Sequence, residues 1–154
     1  MTTLIYNHDT CEIGIDSRMT RRGSIVSDDA QKWLTDARGA MWFFSGSPVD
    51  IPEVIDIFGV IDGPQKIKAG KSELHFGAVV ISNGVVYFCY AVDSSHYIAE
   101  VATHSEHFGS GGMSAMCAIN LGKGTAESVE FAKTMDCYTG GNVNVFCVKE
   151  MKFK

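Results

Sequence analysis

Basic charge is scarce in this sequence: 13 Lys and Arg stand against 18 Asp and Glu, a formal net charge of −5. A nucleic-acid partner would need a concentrated basic face that releases counterions from phosphates. The one basic cluster, Arg18 with Arg21 and Arg22, is too short to supply it. No apolar run approaches the roughly 20 residues of a membrane span, and the start of the chain has no basic-then-apolar signal pattern. The expectation is a soluble, cytoplasmic protein with no membrane partner. Cysteine is also sparse. Cys11, Cys89, Cys117, Cys137 and Cys147 form no CxxC pair, and an odd number cannot all pair within one chain. A disulfide framework is therefore not expected, and the five read as small buried hydrophobes.

What the chain does hold is apolar residues, 45% of 154, against 20% charged. That supports one domain, residues 1–154, able to bury about 70% of its unfolded surface. Residues 2–8 and 11–16 are β-rich runs separated by the polar Asn7-His8-Asp9-Thr10, a hairpin that ends on Asp16. Ser24–Val26 and Ala30–Thr35 read as extended. Ala40–Ser45 is apolar on both faces, as in a strand covered by layers above and below. Asp50-Ile51-Pro52-Glu53 has the two acids of a capping box and opens a helix of about ten residues. Residues 62–73 read as a loop. His75–Ile81 and Val85–Val92 form a hairpin through Asn83-Gly84, and Tyr97–Thr103 is a further short strand. Met113–Leu121 is a helix, Thr125 caps another, and Val143–Val148 is a closing strand.

Two positions stand out chemically. Thr2 follows a methionine that is easily removed, and a threonine at a free N-terminus carries a nucleophile and a base in one residue. Its hydroxyl attacks and its α-amine takes the proton. In the Ala30–Thr35 run, alternation puts Lys32 on one face with Ala30 and Leu34. A lysine among apolar neighbours either lifts its head into water at a sheet edge or is paired, and Asp16 is a carboxylate that could pair it. Other patterns are incomplete. At Gly109-Ser110-Gly111-Gly112, Phe108 stands where GxSxG needs its first glycine and Ser114 where GxGxxG needs its last, and no P-loop lysine follows. His96, His104 and His107 have no cysteine near them and read as surface histidines, so neither metal nor cofactor is expected.

Taken together, Met1-Thr2-Thr3, Ile15-Asp16-Ser17-Arg18-Met19-Thr20 and Ile25-Val26-Ser27-Asp28-Asp29-Ala30-Gln31-Lys32 resemble proteasome β subunits and their bacterial relative, the HslV peptidase. The likeness continues through Phe44-Ser45-Gly46, Gly109-Ser110-Gly111-Gly112 and the stretch from Ala132 to Gly141, spanning nearly the whole chain. It implies the N-terminal nucleophile hydrolase fold, an α+β four-layer αββα sandwich of two antiparallel sheets flanked by helices. The segment between the first helix and Asn83-Gly84 is too short for the second long helix of that family, so the first helical layer is expected to be shortened.

The resemblance also implies a threonine-type peptidase that works through an acyl-threonine ester once Met1 is removed. Its nucleophile falls on Thr2, its acid on Asp16, its lysine on Lys32 and its oxyanion amide on Gly46. Ser110, Asp136 and Thr139 fall in the supporting network around the terminal amine. Met19, Thr20, Ala30, Leu34 and Phe44 match the first side-chain pocket, which the bulky Phe44 would make shallow. The implied partners are a peptide or unfolded protein as substrate, further copies of the chain in a homo-oligomeric ring, and an ATP-dependent unfoldase. A catalytically silent scaffold of the same fold is the alternative, favoured if Met1 is retained and blocks the amine.

Overall fold

Short apolar runs broken by polar turns make strands the dominant element. In the computed structural model, which describes residues 2–70 and 74–154, the first six elements are all strands. They are β1 (Leu4–Asn7), β2 (Glu12–Asp16), β3 (Met19–Arg21), β4 (Ser24–Ser27), β5 (Trp33–Thr35) and β6 (Met41–Gly46). Helix α1 (Ile51–Phe58) follows, then β7 (Gln65–Lys68), β8 (Phe76–Ser82), β9 (Val85–Ala91), β10 (His96–Val101) and β11 (Glu106–Phe108). Helices α2 (Gly112–Asn120) and α3 (Thr125–Met135) precede β12 (Val143–Cys147) and β13 (Lys152–Phe153). The chain gathers into two compact units, one made of the residues up to Lys32 with Thr103–Lys154, the other of Trp33–Ala102.

The first unit carries a five-stranded antiparallel sheet in the order β11-β1-β2-β12-β13. Leu4 faces Ile15 across one ladder and Phe108 across the other, while Asp16 pairs with Val143. Every residue of β1 and β2 is buried, as expected of strands covered on both faces. Ile5 joins Ala115 of α2 and Val129 and Ala132 of α3 in one apolar cluster, where small alanines let the helix backbones come close. The β3–β4 hairpin forms a separate two-stranded sheet with a bulge between Met19 and Thr20.

The second unit carries a six-stranded antiparallel sheet in the order β5-β6-β8-β9-β10-β7. Ile51, Val54, Ile55 and Phe58 of α1 pack with Trp42, Phe44, Val80, Tyr87 and Tyr97 in an extensive apolar core. The apolar spacing of this helix thus predicts its buried face correctly. Asn83 and Gly84 both have positive φ, 50° and 75°, the backbone that a tight β8–β9 turn requires.

Several expectations need correction. Only Cys89 is buried; Cys117 and Cys137 are exposed and Cys11 and Cys147 half-buried, because they stand on turns or on positions turned away from the cores. Asp50 makes no side-chain cap, since its own backbone is already helical at φ −84° and ψ −18°, and its carbonyl accepts from Val54 instead. Gly124, not Thr125, is the N-cap of α3, because the Thr125 hydroxyl accepts from the Asn7 amide at 3.2 Å. The stretch 62–73 contains strand β7, in which Ile67 turns to the core while Lys66 and Lys68 stay exposed, the charged pattern of an edge strand. Residues 71–73 of that stretch lie outside the described ones. The run expected over Ala30–Thr35 shortens to β5, so Lys32 precedes the strand and its surroundings are set by Asp16 rather than by alternation. Strand β13 was not anticipated; its two residues pair with Phe146 and Cys147. Among the described residues no helix is long and apolar enough to cross a membrane.

Candidate active site

Asp16 ends β2, and its carboxylate is fully buried in the first unit. A carboxylate without water must be satisfied by donors, and three converge on it. Oδ1 accepts from the Thr3 amide at 3.0 Å and from the Lys32 ammonium at 2.7 Å, while Oδ2 accepts from the Gly140 amide at 3.0 Å. The Asp16 amide in turn donates to the Thr3 carbonyl at 3.2 Å. These bonds tie the residue that follows Thr2 to the end of β2. Lys32, only 5% exposed, is therefore held in a salt bridge instead of reaching water. Burial pushes its ammonium below the usual lysine pKa, and the charge and hydrogen bond of Asp16 work in the opposite direction.

A second group of polar residues adjoins the same segment. Asp136 ends α3, and its Oδ2 accepts from Ser110 at 2.6 Å and from Thr139 at 2.7 Å, with the Tyr138 amide on Oδ1 at 3.2 Å. Desolvation alone would raise this carboxyl, but the bonds from Ser110, Thr139 and Tyr138 hold it below its ordinary value. Thr139 and Thr3 hydroxyls lie 2.6 Å apart. Because Thr139 gives its one proton to Asp136, Thr3 must donate to Thr139, which orders a chain from Thr3 through Thr139 to the carboxylate. Gly111 leaves room for this chain: a Cβ there would fall on the Thr3 and Thr139 hydroxyls.

The loop after α3 is held from outside as well. Arg18 pairs with Asp28 at 2.7 Å and donates to the Cys137 carbonyl at 3.0 Å, while the Ser17 hydroxyl donates to the Asp28 carbonyl at 2.6 Å. Lys133 caps the Gly141 carbonyl at 2.9 Å.

Of the residues singled out in the sequence, Thr2, Asp16, Lys32, Ser110, Asp136 and Thr139 all lie in the first unit, and all but Thr2 and Lys32 are joined there through Thr3, Gly140 or one another as described. Lys32 joins through Asp16, and Thr2, 3% exposed, is covalently bound to Thr3. Met1, whose removal the sequence reading requires, lies outside the described residues. Met19, Thr20 and Ala30 are half-buried in the same unit. Gly46 ends β6 in the second unit with φ 126°, and Leu34 and Phe44 belong to that unit's apolar core. Sequence reading missed Thr3 and Gly111. Their signals were present, a second hydroxyl beside Thr2 and a run of glycines after β11, but neither residue type announces a partner.

No protein-family model and no curated protein sequence matches the chain. Solved structures do. HslV from Trypanosoma brucei, at 14% identity, superposes with a TM-score of 0.68 over 94% of this chain and 97% of its own. BPH of Thiobacillus denitrificans in complex with epoxomicin, at 15% identity, gives a TM-score of 0.65 over 95% of this chain and 97% of its own. The chain is thus a mixed α and β protein, with antiparallel sheets and three helices among the described residues, and it has the fold of these proteins, the fold that the motif resemblance implies.

Proposed function

We propose that the chain is an N-terminal threonine peptidase. The observation that carries this reading is the buried Asp16 carboxylate, which holds the Lys32 ammonium and the Thr3 amide on a single oxygen. Burying an ion pair without need is unfavourable, and replacing one with apolar residues is often neutral or better for stability. A lysine held on the same carboxylate oxygen as the amide of the residue after Thr2 gains a purpose if the Thr2 hydroxyl must ionise. Its positive charge favours the alkoxide as the proton leaves.

In the proposed reaction, removal of Met1 exposes the Thr2 α-amine. The Thr2 hydroxyl attacks the peptide carbonyl carbon while its proton passes to that amine, whose reference pKa near 8 suits a base at neutral pH. The C–N bond breaks, the departing amine takes the proton, and the acyl group stays on Thr2 as an ester. Water then attacks the ester with the same amine as base, releasing the acid and restoring the hydroxyl. Asp16 keeps Lys32 charged and in place, and the chain from Thr3 through Thr139 to Asp136, with Ser110, fixes the segment that bears the amine. Peptides or unfolded proteins are the substrates, handled in a homo-oligomeric ring with an ATP-dependent unfoldase as candidate partner. By the motif resemblance, Met19, Thr20, Ala30, Leu34 and Phe44 are the proposed substrate-pocket residues and the Gly46 amide is the proposed oxyanion donor.

The test is hydrolysis of a panel of fluorogenic peptides by the purified protein. Turnover that Thr2→Ala abolishes and Thr2→Ser retains is expected. Turnover that survives Thr2→Ala would remove the reading.

A further inference from the structure

Charge is distributed unevenly along this chain. Between Ser17 and Ser27 there are three arginines and no acid, whereas between Ala40 and Pro64 there are four acids and no base. Arg18 is used within the first unit by Asp28. Arg21 and Arg22, at the tip of the β3–β4 hairpin, are exposed and have no ion-pair partner among the described residues. Strand β4 beside them exposes Ile25 by 52% and Val26 by 50%. The register shift that leaves Val26 unpaired against β3 breaks the alternation there, and both apolar side chains of this ribbon lie open to solvent. A two-stranded ribbon in that state is marginal in water by itself.

The acidic segment has the matching composition. Glu53 and Asp56 stand one turn apart on the exposed face of α1, opposite its buried Ile51, Val54, Ile55 and Phe58. Neither has an ion-pair partner among the described residues. Val49 precedes the helix and Val60 follows it, exposed by 84% and 59%. Two arginines beside two exposed apolar residues thus match in charge and apolar character two acids flanked by two valines.

We infer that the β3–β4 hairpin docks on α1 of a second copy of this chain, Arg21 and Arg22 meeting Glu53 and Asp56 while Ile25 and Val26 meet Val49 and Val60. The contact is heterologous, one patch on one copy and a different patch on the next, which is the kind that generates rings. The bulge at Val26 argues against simple strand addition, because it interrupts the regular edge that an incoming strand would need. Side chains therefore carry the contact. This inference rests on the ring assembly proposed above and names the surfaces that build it.

The test is sedimentation velocity on the wild type, on Arg21→Glu/Arg22→Glu, on Glu53→Arg/Asp56→Arg, and on the variant carrying all four changes, with circular dichroism to check that each is folded. A wild-type mass several times 16.7 kDa is expected, falling to 16.7 kDa in each double variant through a weakening of association on the order of 100-fold, and recovered in the fourfold variant. Raised salt should weaken wild-type assembly in the same direction. Double variants that keep the wild-type mass, or a fourfold variant that stays monomeric, would overturn the docking assignment while leaving ring assembly standing. A monomeric wild type at all concentrations would overturn both, and peptide hydrolysis by that monomer would show that the peptidase reading survives without them.

Discussion

Ten of the twelve polar or charged residues buried among the described ones lie in the unit made of residues up to Lys32 with Thr103–Lys154, and only Ser45 and Ser82 lie in Trp33–Ala102. The second unit instead buries Trp42, Phe43, Val54, Val79, Val80 and Tyr97 essentially completely. Its core is the ordinary solution to folding, apolar area removed from water. The first unit adds an ion pair, a directed chain of hydroxyls and three donors on one carboxylate. Such a network is stable only when every member is satisfied, and it fixes a few atoms far more tightly than apolar packing does. Chemistry needs that kind of constraint, so the difference between the cores supports placing the proposed nucleophile in the first unit.

The largest expected effects set the two cores side by side. Asp16→Ala leaves the Lys32 ammonium buried without a partner and should cost about 3–5 kcal/mol in urea denaturation. Trp42→Ala should cost a similar amount, about 3–5 kcal/mol, from the cavity it opens and the loss of its bond to Asp36. The two should separate when Lys32→Met is added. That change removes the orphaned charge and should recover much of the loss in Asp16→Ala but none in Trp42→Ala, a double-mutant comparison that would fail if Asp16 were merely a packing residue.

Next in size, Lys32→Met alone leaves the buried Asp16 carboxylate without its counter-charge but still on the Thr3 and Gly140 amides, and should cost about 2–4 kcal/mol while the chain still folds. Hydrolysis should nevertheless disappear. The pH dependence sharpens this. Burial lowers the Lys32 pKa from 10.5, so as pH rises the folded chain loses this proton before the unfolded chain does. The unfolded state then binds more protons, and this residue's contribution to stability rises toward pH 10.5 while activity falls. An activity limb and a stability limb of opposite sign in the same window, the second absent from Lys32→Met, is the expected pair of measurements.

Gly111→Ala should follow, at about 1–3 kcal/mol, since its methyl group would displace the Thr3 and Thr139 hydroxyls. The smallest effect is expected from Asp136→Asn. Its depressed carboxyl pKa contributes stability above the unfolded value near 3.9, lost as pH falls through the folded one, so the variant should show a flatter acid limb, with a modest loss at neutral pH that vanishes in acid.

Particular residues show how much of this was legible in sequence. Turn signals and helical spacing found the β1–β2 and β8–β9 hairpins, α1 and the two later helices, because burial of one face writes itself into the order of residues, but not the exposed β3–β4 hairpin. The pairing of Lys32 with Asp16 could be suspected because a lysine among apolar residues needs a counter-charge. The alternation that suggested it was wrong, since Lys32 precedes β5. The Thr125 cap failed for a tertiary reason: its hydroxyl is taken by Asn7, a hundred and more positions away, which no local pattern encodes. Strand β7 escaped because an edge strand exposes its lysines and so looks like a loop. The exposed cysteines escaped because small apolar residues fit either side of a surface. Gly111 and Thr3 depend on a meeting of three segments that only the fold brings together.

The central claim is that Thr2 is a free N-terminal nucleophile, and intact-mass spectrometry before and after incubation with epoxomicin tests it most directly. The account predicts a mass lower than the full sequence by one methionine residue and a single adduct that is lost in Thr2→Ala and Lys32→Met. A mass that retains Met1, with no adduct at any concentration of the inhibitor, would contradict it and leave the silent scaffold as the reading of this fold.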